Sequence, residues 1–322
     1  MKVLVIGGTG LVGPHVVDRL LSAGAQVALF NRRGMGPNTV TPIKGNRRDT
    51  ASLRKAFLDF RPDVAIDMIP YTKEDAQGLV EASSGCTSSL IAVSSIDVYL
   101  AYGRLHKTEP GEPLLGPITE LSPLRTKLSK EGRAYDKLGV EEVLSRSATV
   151  PVSIFRLPMI YGPPDTSRVG HYVKRMVDKR PLIPIGSSYA KWRVRRLFTQ
   201  NCAEAISLCT LASPSRSAIY NVAEERSYAE REWIEVIGRV LDWRGEIIEV
   251  ADQDLPPPFG IDTRQEMSID SSRIRKDLGY HEIVDCSRAR EVAVKWVRDE
   301  FLAGRINEPV DYGAEDAILK SD

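Results

Sequence analysis

Cysteine is scarce in this chain and scattered. The 322 residues hold four, Cys86, Cys202, Cys209 and Cys286. No C-x-x-C pair and no cysteine–histidine ligand spacing occurs, which excludes a disulfide framework and leaves reduced, mostly structural thiols. The four histidines, His15, His106, His171 and His281, form no local ligand pattern either, so no metal is expected. Charge imbalance is missing too: 44 Lys+Arg against 43 Asp+Glu leave a net charge of +1. That removes any general attraction to nucleic acid or an anionic membrane. No apolar run approaches the ~20 residues of a membrane span and no signal peptide is visible, so a cytoplasmic protein is expected. Internal repeats and low-complexity segments are absent. What is present, 42% hydrophobic and 27% charged residues, describes a soluble globular chain with material for a core, one large domain with a smaller annex. A monomer or homodimer is expected.

The chain is organised around its first thirteen residues. Val3 to Ile6 reads as a fully buried parallel strand, and glycines follow at once in G-x-x-G-x-x-G spacing, Gly7, Gly10 and Gly13, enclosing Thr9, Leu11 and Val12. Gly7 permits a tight turn off the strand, Gly10 lets the backbone approach a pyrophosphate, and Gly13 lets the next helix pack closely. The helix start, with unpaired N–H groups and the positive end of its dipole, suits a dinucleotide. Val16, Val17, Leu20 and Leu21 mark that helix, Gly24 closes it, and Gln26 to Phe30 is the second strand. At its end, where an acid would hold the adenosine ribose of NAD, stand Asn31, Arg32 and Arg33. Arginine there suits a 2′-phosphate, which favours NADP(H).

Strand and helix go on alternating: helices at 51–60, 74–82 and 134–145, strands at 63–69, 89–94 and 152–156. A polar loop from Gly103 to Lys130 is too long for a simple connection and is expected to cover a site. After Gly162 the alternation loosens, with helices expected at 171–179, 200–211, 230–241 and 288–301. Residues 1–165, completed by segments near 197–224, make the expected dinucleotide domain. Residues 166–196 and 225–322 make a smaller mixed α/β substrate region over the carboxyl edge of the sheet.

The glycine loop, Gly45-Asn46-Arg47-Arg48-Asp49, Ser94-Ser95-Ile96-Asp97-Val98-Tyr99, Lys137 with Glu141, and Tyr161-Gly162-Pro163 resemble the extended short-chain dehydrogenase/reductase superfamily, of the NAD-dependent epimerase/dehydratase type. Leu29 to Arg32 and Asp63 to Asp67 look most like an atypical branch that includes the chloroplast stem-loop RNA-binding proteins. The resemblance implies a doubly wound parallel Rossmann sheet and a Ser, Tyr and Lys that move a proton, the last two in Y-x-x-x-K spacing. Ser95 matches the serine and Lys137 the lysine. The tyrosine position falls on Arg133, which stays protonated and so can polarise a carbonyl or bind a carboxylate but cannot shuttle a proton. Tyr135, two residues before Lys137, would point about 200° away on an ideal helix and serves only if it precedes the first regular turn. Tyr99 and Tyr102 are further proton-donor candidates, with Tyr99 also a substrate contact, and His106 lies in the covering loop.

The resemblance also implies that Asn46 and its neighbour Arg47 lie near the adenine, that Leu157, Pro158 and Met159 run beside the nicotinamide, and that Arg195 faces an anionic group of the substrate. Two functions follow. One is an NADP(H)-dependent oxidoreductase or epimerase acting on a carbonyl or carbinol of a small or sugar-like substrate. The other is a lapsed enzyme that keeps the dinucleotide site and binds RNA or protein. Intact Ser95 and Lys137 favour the first, Arg133 the second, and bulk charge weighs against RNA.

Overall fold

The computed structural model describes residues 1–128, 132–212 and 217–320. The first part of the chain runs β1 Lys2–Ile6, α1 Gly13–Ser22, β2 Gln26–Asn31, β3 Thr41–Lys44, α2 Thr50–Phe60, β4 Val64–Asp67, α3 Lys73–Ser83, β5 Ser89–Ser95, α4 Leu100–Leu105, α5 Lys137–Ser145 and β6 Val152–Leu157. The second runs β7 Met159–Tyr161, α6 Gly170–Val177, β8 Leu182–Gly186, α7 Ser187–Lys191, β9 Arg193–Val194, β10 Arg196–Phe198, α8 Thr199–Ala212, β11 Ala218–Asn221, β12 Tyr228–Ala229, α9 Glu230–Val240, β13 Glu246–Val250, α10 Ser272–Leu278, α11 Cys286–Leu302 and α12 Tyr312–Ile318. Among the described residues no helix is long and apolar enough to cross a membrane.

Seven strands form one parallel sheet in the order β11-β6-β5-β4-β1-β2-β3. The order reverses beside β1, so α1 and α8 cover one face and α2, α3 and α5 the other. This is the doubly wound arrangement, in which a crevice opens at the carboxyl ends of the strands where the order reverses. Val3 and Val5 enter the core on the α1 side, Leu4 and Ile6 the core on the α3 side, all four fully buried. That two-sided burial is why β1 reads as an uninterrupted apolar run rather than an alternating one.

Three small sheets, β10-β7, β12-β9 and β13-β8, build the C-terminal part with α6, α9 and α11 around Trp233. Buried polar bonds brace this second part. Tyr161 donates to Glu224 at 2.7 Å, and Arg196 pairs with Glu230 at 2.5 Å under the Trp233 ring. Burial pushes the Glu224 carboxyl up to about 7 from 4.5. The folded state therefore holds this proton more tightly than the unfolded chain, and stability falls as pH rises from 4.5 to 7. Glu224→Gln is expected to remove a decline of about 3 kcal/mol across that window, read from urea unfolding at the two ends. An unchanged pH slope would contradict the assignment.

Candidate functional site

The glycine loop owes its shape to contacts that no side chain could share. Gly7 lies at φ +79°, and a Cβ on Gly13 would come within 2.4 Å of the Gly8 carbonyl carbon. Loop and helix are thus pressed together backbone to backbone, while the space in front of Gly10 is open. No side chain caps the start of α1, and Val12 and the exposed Gly10 and Thr9 lead into it. The cradle left by these residues fits a pyrophosphate at a helix N-terminus.

Asn31 ends β2 and folds the next turn. Its amide donates to the Met35 carbonyl at 2.7 Å and its oxygen accepts from the Arg33 and Met35 N–H groups. Arg32 and Arg33 are left exposed on that turn, with no hydrogen bond or ion pair from either guanidinium among the described residues. Asn46 is exposed in a turn, its oxygen already accepting from the Arg48 N–H at 3.2 Å. Arg47 faces inward instead. Its guanidinium pairs with Asp67, fully buried at the end of β4, and at 2.5 Å with Asp75 in α3. The adenine-side expectation for the Arg47 side chain is corrected: its guanidinium is buried against Asp67 and Asp75, where its charge ties β4 to α3.

The other half of the crevice gathers at the end of β5. Register places Ser95 opposite Leu157, with Pro158 next in the chain. Ser95 caps a short 3-10 turn, Ile96–Val98, by accepting from the Asp97 N–H at 3.2 Å. Helix α5 begins only at Lys137, because Asp136 accepts from the Gly139 N–H and caps it there. The helix expected from 134 is therefore three residues shorter, and Tyr135 stands outside it, free of the 200° restriction. The Tyr135 hydroxyl donates to the Asp97 carboxylate and accepts from the Ser95 hydroxyl. Burial foremost, then the Asp97 charge, raises the Tyr135 phenol above its usual range. Burial also pushes the Asp97 carboxyl up, against the pull of Arg125 and Lys137.

Lys137 is 3% exposed. Its ammonium donates to the carbonyls of Pro70 at 2.8 Å and Val93 at 2.9 Å. It lies 5.5 Å from the Tyr135 ring centre and 5.1 Å from that of Tyr71, and burial lowers it to about 8. Ser95, Asp97, Tyr135 and Lys137 thus form one cluster. Asp97 was given no role by the sequence pattern. The available signal was its place two residues after Ser95, where an acid both closes a 3-10 turn and reaches across to a phenol. Arg133 lies in the turn Gly132–Ala134, and its side chain is outside the described residues.

Tyr99 belongs to a different network. It is fully buried, its hydroxyl donating to Asn221 at 2.6 Å and accepting from Arg156 at 2.9 Å. Burial pushes this phenol up to about 12. Arg156 also makes a bidentate pair with Glu141, and Ser94 donates to the same carboxylate. The expected substrate contact at Tyr99 is corrected, since its hydroxyl has both partners inside the protein. The Tyr102 and His106 rings pack against each other at a tilt, with their centres 4.3 Å apart.

The long loop is stitched rather than loose. Ile118 exchanges backbone hydrogen bonds with Ser268 and Asp270, Leu114 pairs with Gln265, and Leu105 accepts from the Asp262 N–H. Arg125, from the same loop, bonds Lys127 and lies 3.8 Å from Asp97. Arg195 is half-buried. Its Nη1 donates to the Ile269 carbonyl at 2.8 Å and its Nε has no partner.

Comparison with solved structures shows the same fold at low sequence identity. UDP-glucose 4-epimerase from Thermotoga maritima, solved with UDP-glucose, superposes with a TM-score of 0.72 at 16% identity, covering 94% of this chain and 100% of that one. UDP-glucose 4-epimerase from Thermus thermophilus in complex with NAD gives 0.68 at 20% identity, over 92% and 99%. UDP-glucuronic acid 4-epimerase from Bacillus cereus in complex with NAD gives 0.69 at 18% identity, over 94% and 100%. No curated protein sequence matches. The sequence pattern of one family matches residues 3–223, taking in the glycine loop, the Ser95 cluster, Lys137 and Tyr161. The chain therefore belongs to the NAD dependent epimerase/dehydratase family.

Proposed function

We propose that the chain is an NADP(H)-dependent oxidoreductase or epimerase acting on a carbonyl or carbinol of a small, sugar-like substrate, with Tyr135 in the proton-moving role. The observation that carries this reading is the contact of Tyr135 with Ser95 and Asp97 beside Lys137, at the sheet edge that also bears the glycine loop. A bound nicotinamide dinucleotide supplies the hydride acceptor or donor. The residues supply the proton path. As a carbinol O–H is oxidised, its proton passes to the Tyr135 oxygen while the Tyr135 proton passes to Asp97, whose burial readies it to accept. Ser95 hydrogen-bonds both the phenol and the Asp97 carboxylate, which ties the two groups together. The Lys137 ammonium, fixed by two carbonyls, favours negative charge on that oxygen.

Residues 1–165, with 197–224, hold the dinucleotide in this reading, and 166–196 with 225–322 hold the substrate. Gly7 to Gly13 take the pyrophosphate, Asn46 lies near the adenine, and Leu157 and Pro158 flank the nicotinamide. A sugar-like substrate is supported by the UDP-glucose bound to the Thermotoga maritima epimerase. Arg195 has an unspent Nε and Arg133 is charged at any neutral pH, which suits both to an anionic group of the substrate rather than to proton transfer.

The preference for NADP(H) rests on the exposed, unpaired Arg32 and Arg33 and on the want of a carboxylate on that turn. Charge-assisted hydrogen bonds contribute about 1.5–3 kcal/mol each, and tenfold needs about 1.4. NADPH is expected to bind at least tenfold tighter than NADH by calorimetry, and Arg32→Ala with Arg33→Ala to erase the difference. Equal affinities in the parent protein would overturn the preference.

A further inference from the structure

Arg125 comes from the long loop and is 4% exposed. Its backbone is tied to the turn that carries Asp97: its N–H donates to the Val98 carbonyl at 2.9 Å, and the Leu100 N–H donates to the Pro123 carbonyl at 2.8 Å. On the other side the Glu109 carboxylate accepts the Thr126 and Lys127 N–H groups at 2.6 and 2.8 Å. The guanidinium mounted in this way spends Nη1 on the Lys127 carbonyl at 2.7 Å. Its Nη2 lies 3.8 Å from Asp97 Oδ1. Nη2, Nε and that carboxylate oxygen are buried without a hydrogen-bond partner, and among the described residues Asp97 is the acid that Arg125 pairs with.

Such a spacing delivers charge without a bond. At 3.8 Å the cation favours the carboxylate over the acid, yet it leaves Oδ1 open to a proton. The groups facing Asp97 come from three elements besides its own turn. Ser95 at the end of β5 and Tyr135 before α5 hydrogen-bond it, while Arg125 from the loop and Lys137 at the start of α5 are its cations. Lys137 also faces Asp67 and Glu141, and burial lowers it to about 8, so its charge fades on the alkaline side. Arg125 stays protonated throughout. Burial pushes Asp97 toward its protonated form, which cannot take a proton from Tyr135, and Arg125 opposes that more strongly than Lys137 does.

We propose that Arg125 is a positioning residue that acts through Asp97, keeping its carboxylate ionised and so able to take the Tyr135 proton; this rests on the proton path given above. The test is NMR of the full chain carrying aspartate labelled with carbon-13 at the side-chain carboxyl, with the Asp97 signal followed against pH and identified by its loss in Asp97→Asn. Arg125→Met is expected to raise the pH at which Asp97 titrates by about one unit or more, a tenfold change in proton affinity. Arg125→Gln, also uncharged but still able to donate to the Lys127 carbonyl, gives the same reading if the Met variant does not fold. Arg125→Lys keeps the charge and loses the fork, and is expected to titrate within about half a unit of the parent. The titration needs no turnover, so it judges Arg125 separately from the proton path, which the turnover of Asp97→Asn judges. An Asp97 signal that titrates at the same pH in the parent and in the uncharged variants, or that moves as far in Arg125→Lys as in Arg125→Met, would overturn the proposal.

Discussion

Replacing Tyr135 by Phe is expected to lower turnover by about 10²–10⁴-fold and to leave NADPH affinity unchanged. The magnitude is that of losing a positioned acid/base. The separation of the two effects comes from the geometry: the Tyr135 hydroxyl bonds Ser95 and Asp97, whereas the proposed dinucleotide contacts lie on the glycine loop and the turn after β2. Steady-state kinetics and nucleotide titration on the same preparation measure both. Parallel losses of turnover and affinity would mean that the phenol holds the dinucleotide rather than moving a proton. Asp97→Asn should lower turnover too, because an amide cannot take the Tyr135 proton.

The second large effect is on stability. Arg156 joins β6 to α5 through Glu141, to the sheet edge through Tyr99, and to the long loop through the Glu120 carbonyl at 3.1 Å. Both partners of the ion pair are almost wholly buried. Arg156→Ala leaves the Glu141 carboxylate with the Ser94 hydroxyl as its remaining hydrogen-bond partner among the described residues and is expected to cost about 3–5 kcal/mol, measured by denaturant unfolding. Glu141→Leu with Arg156→Met removes both charges together and should cost clearly less than Arg156→Ala, because no uncompensated ion remains. Equal losses would mean that the shape of the arginine, rather than the charge of the pair, supports the fold.

Much of this was legible in the residues because it depends on local chemistry. The β1–loop–α1 unit follows from Gly7 and Gly13, each of which sits where any Cβ would collide. The central strands follow from apolar runs buried on both faces. Short pieces escaped for the converse reason. Thr41–Lys44, at the sheet edge, has three exposed residues of four, and the two- and three-residue strands after Met159 are paired by tertiary contacts with no periodicity of their own. The site divided along the same line. Ser95 and Lys137 are fixed by spacing along the chain. The place of Tyr135 depended on which residue capped α5, and Asp136 settled that three positions later than the helical pattern suggested. Tyr99 carried the residue type of a proton donor, yet its partners Asn221 and Arg156 lie 122 and 57 residues away, a distance that no local pattern spans.

The most direct test of the account is a crystal structure of the protein with NADP⁺ and a bound carbinol. The account predicts the Tyr135 oxygen within about 2.6–3.2 Å of the substrate oxygen, or joined to it by one water, with Asp97 on its far side. A substrate oxygen held instead by Tyr102 or His106, with Tyr135 turned away from it, would contradict the proton path at its centre.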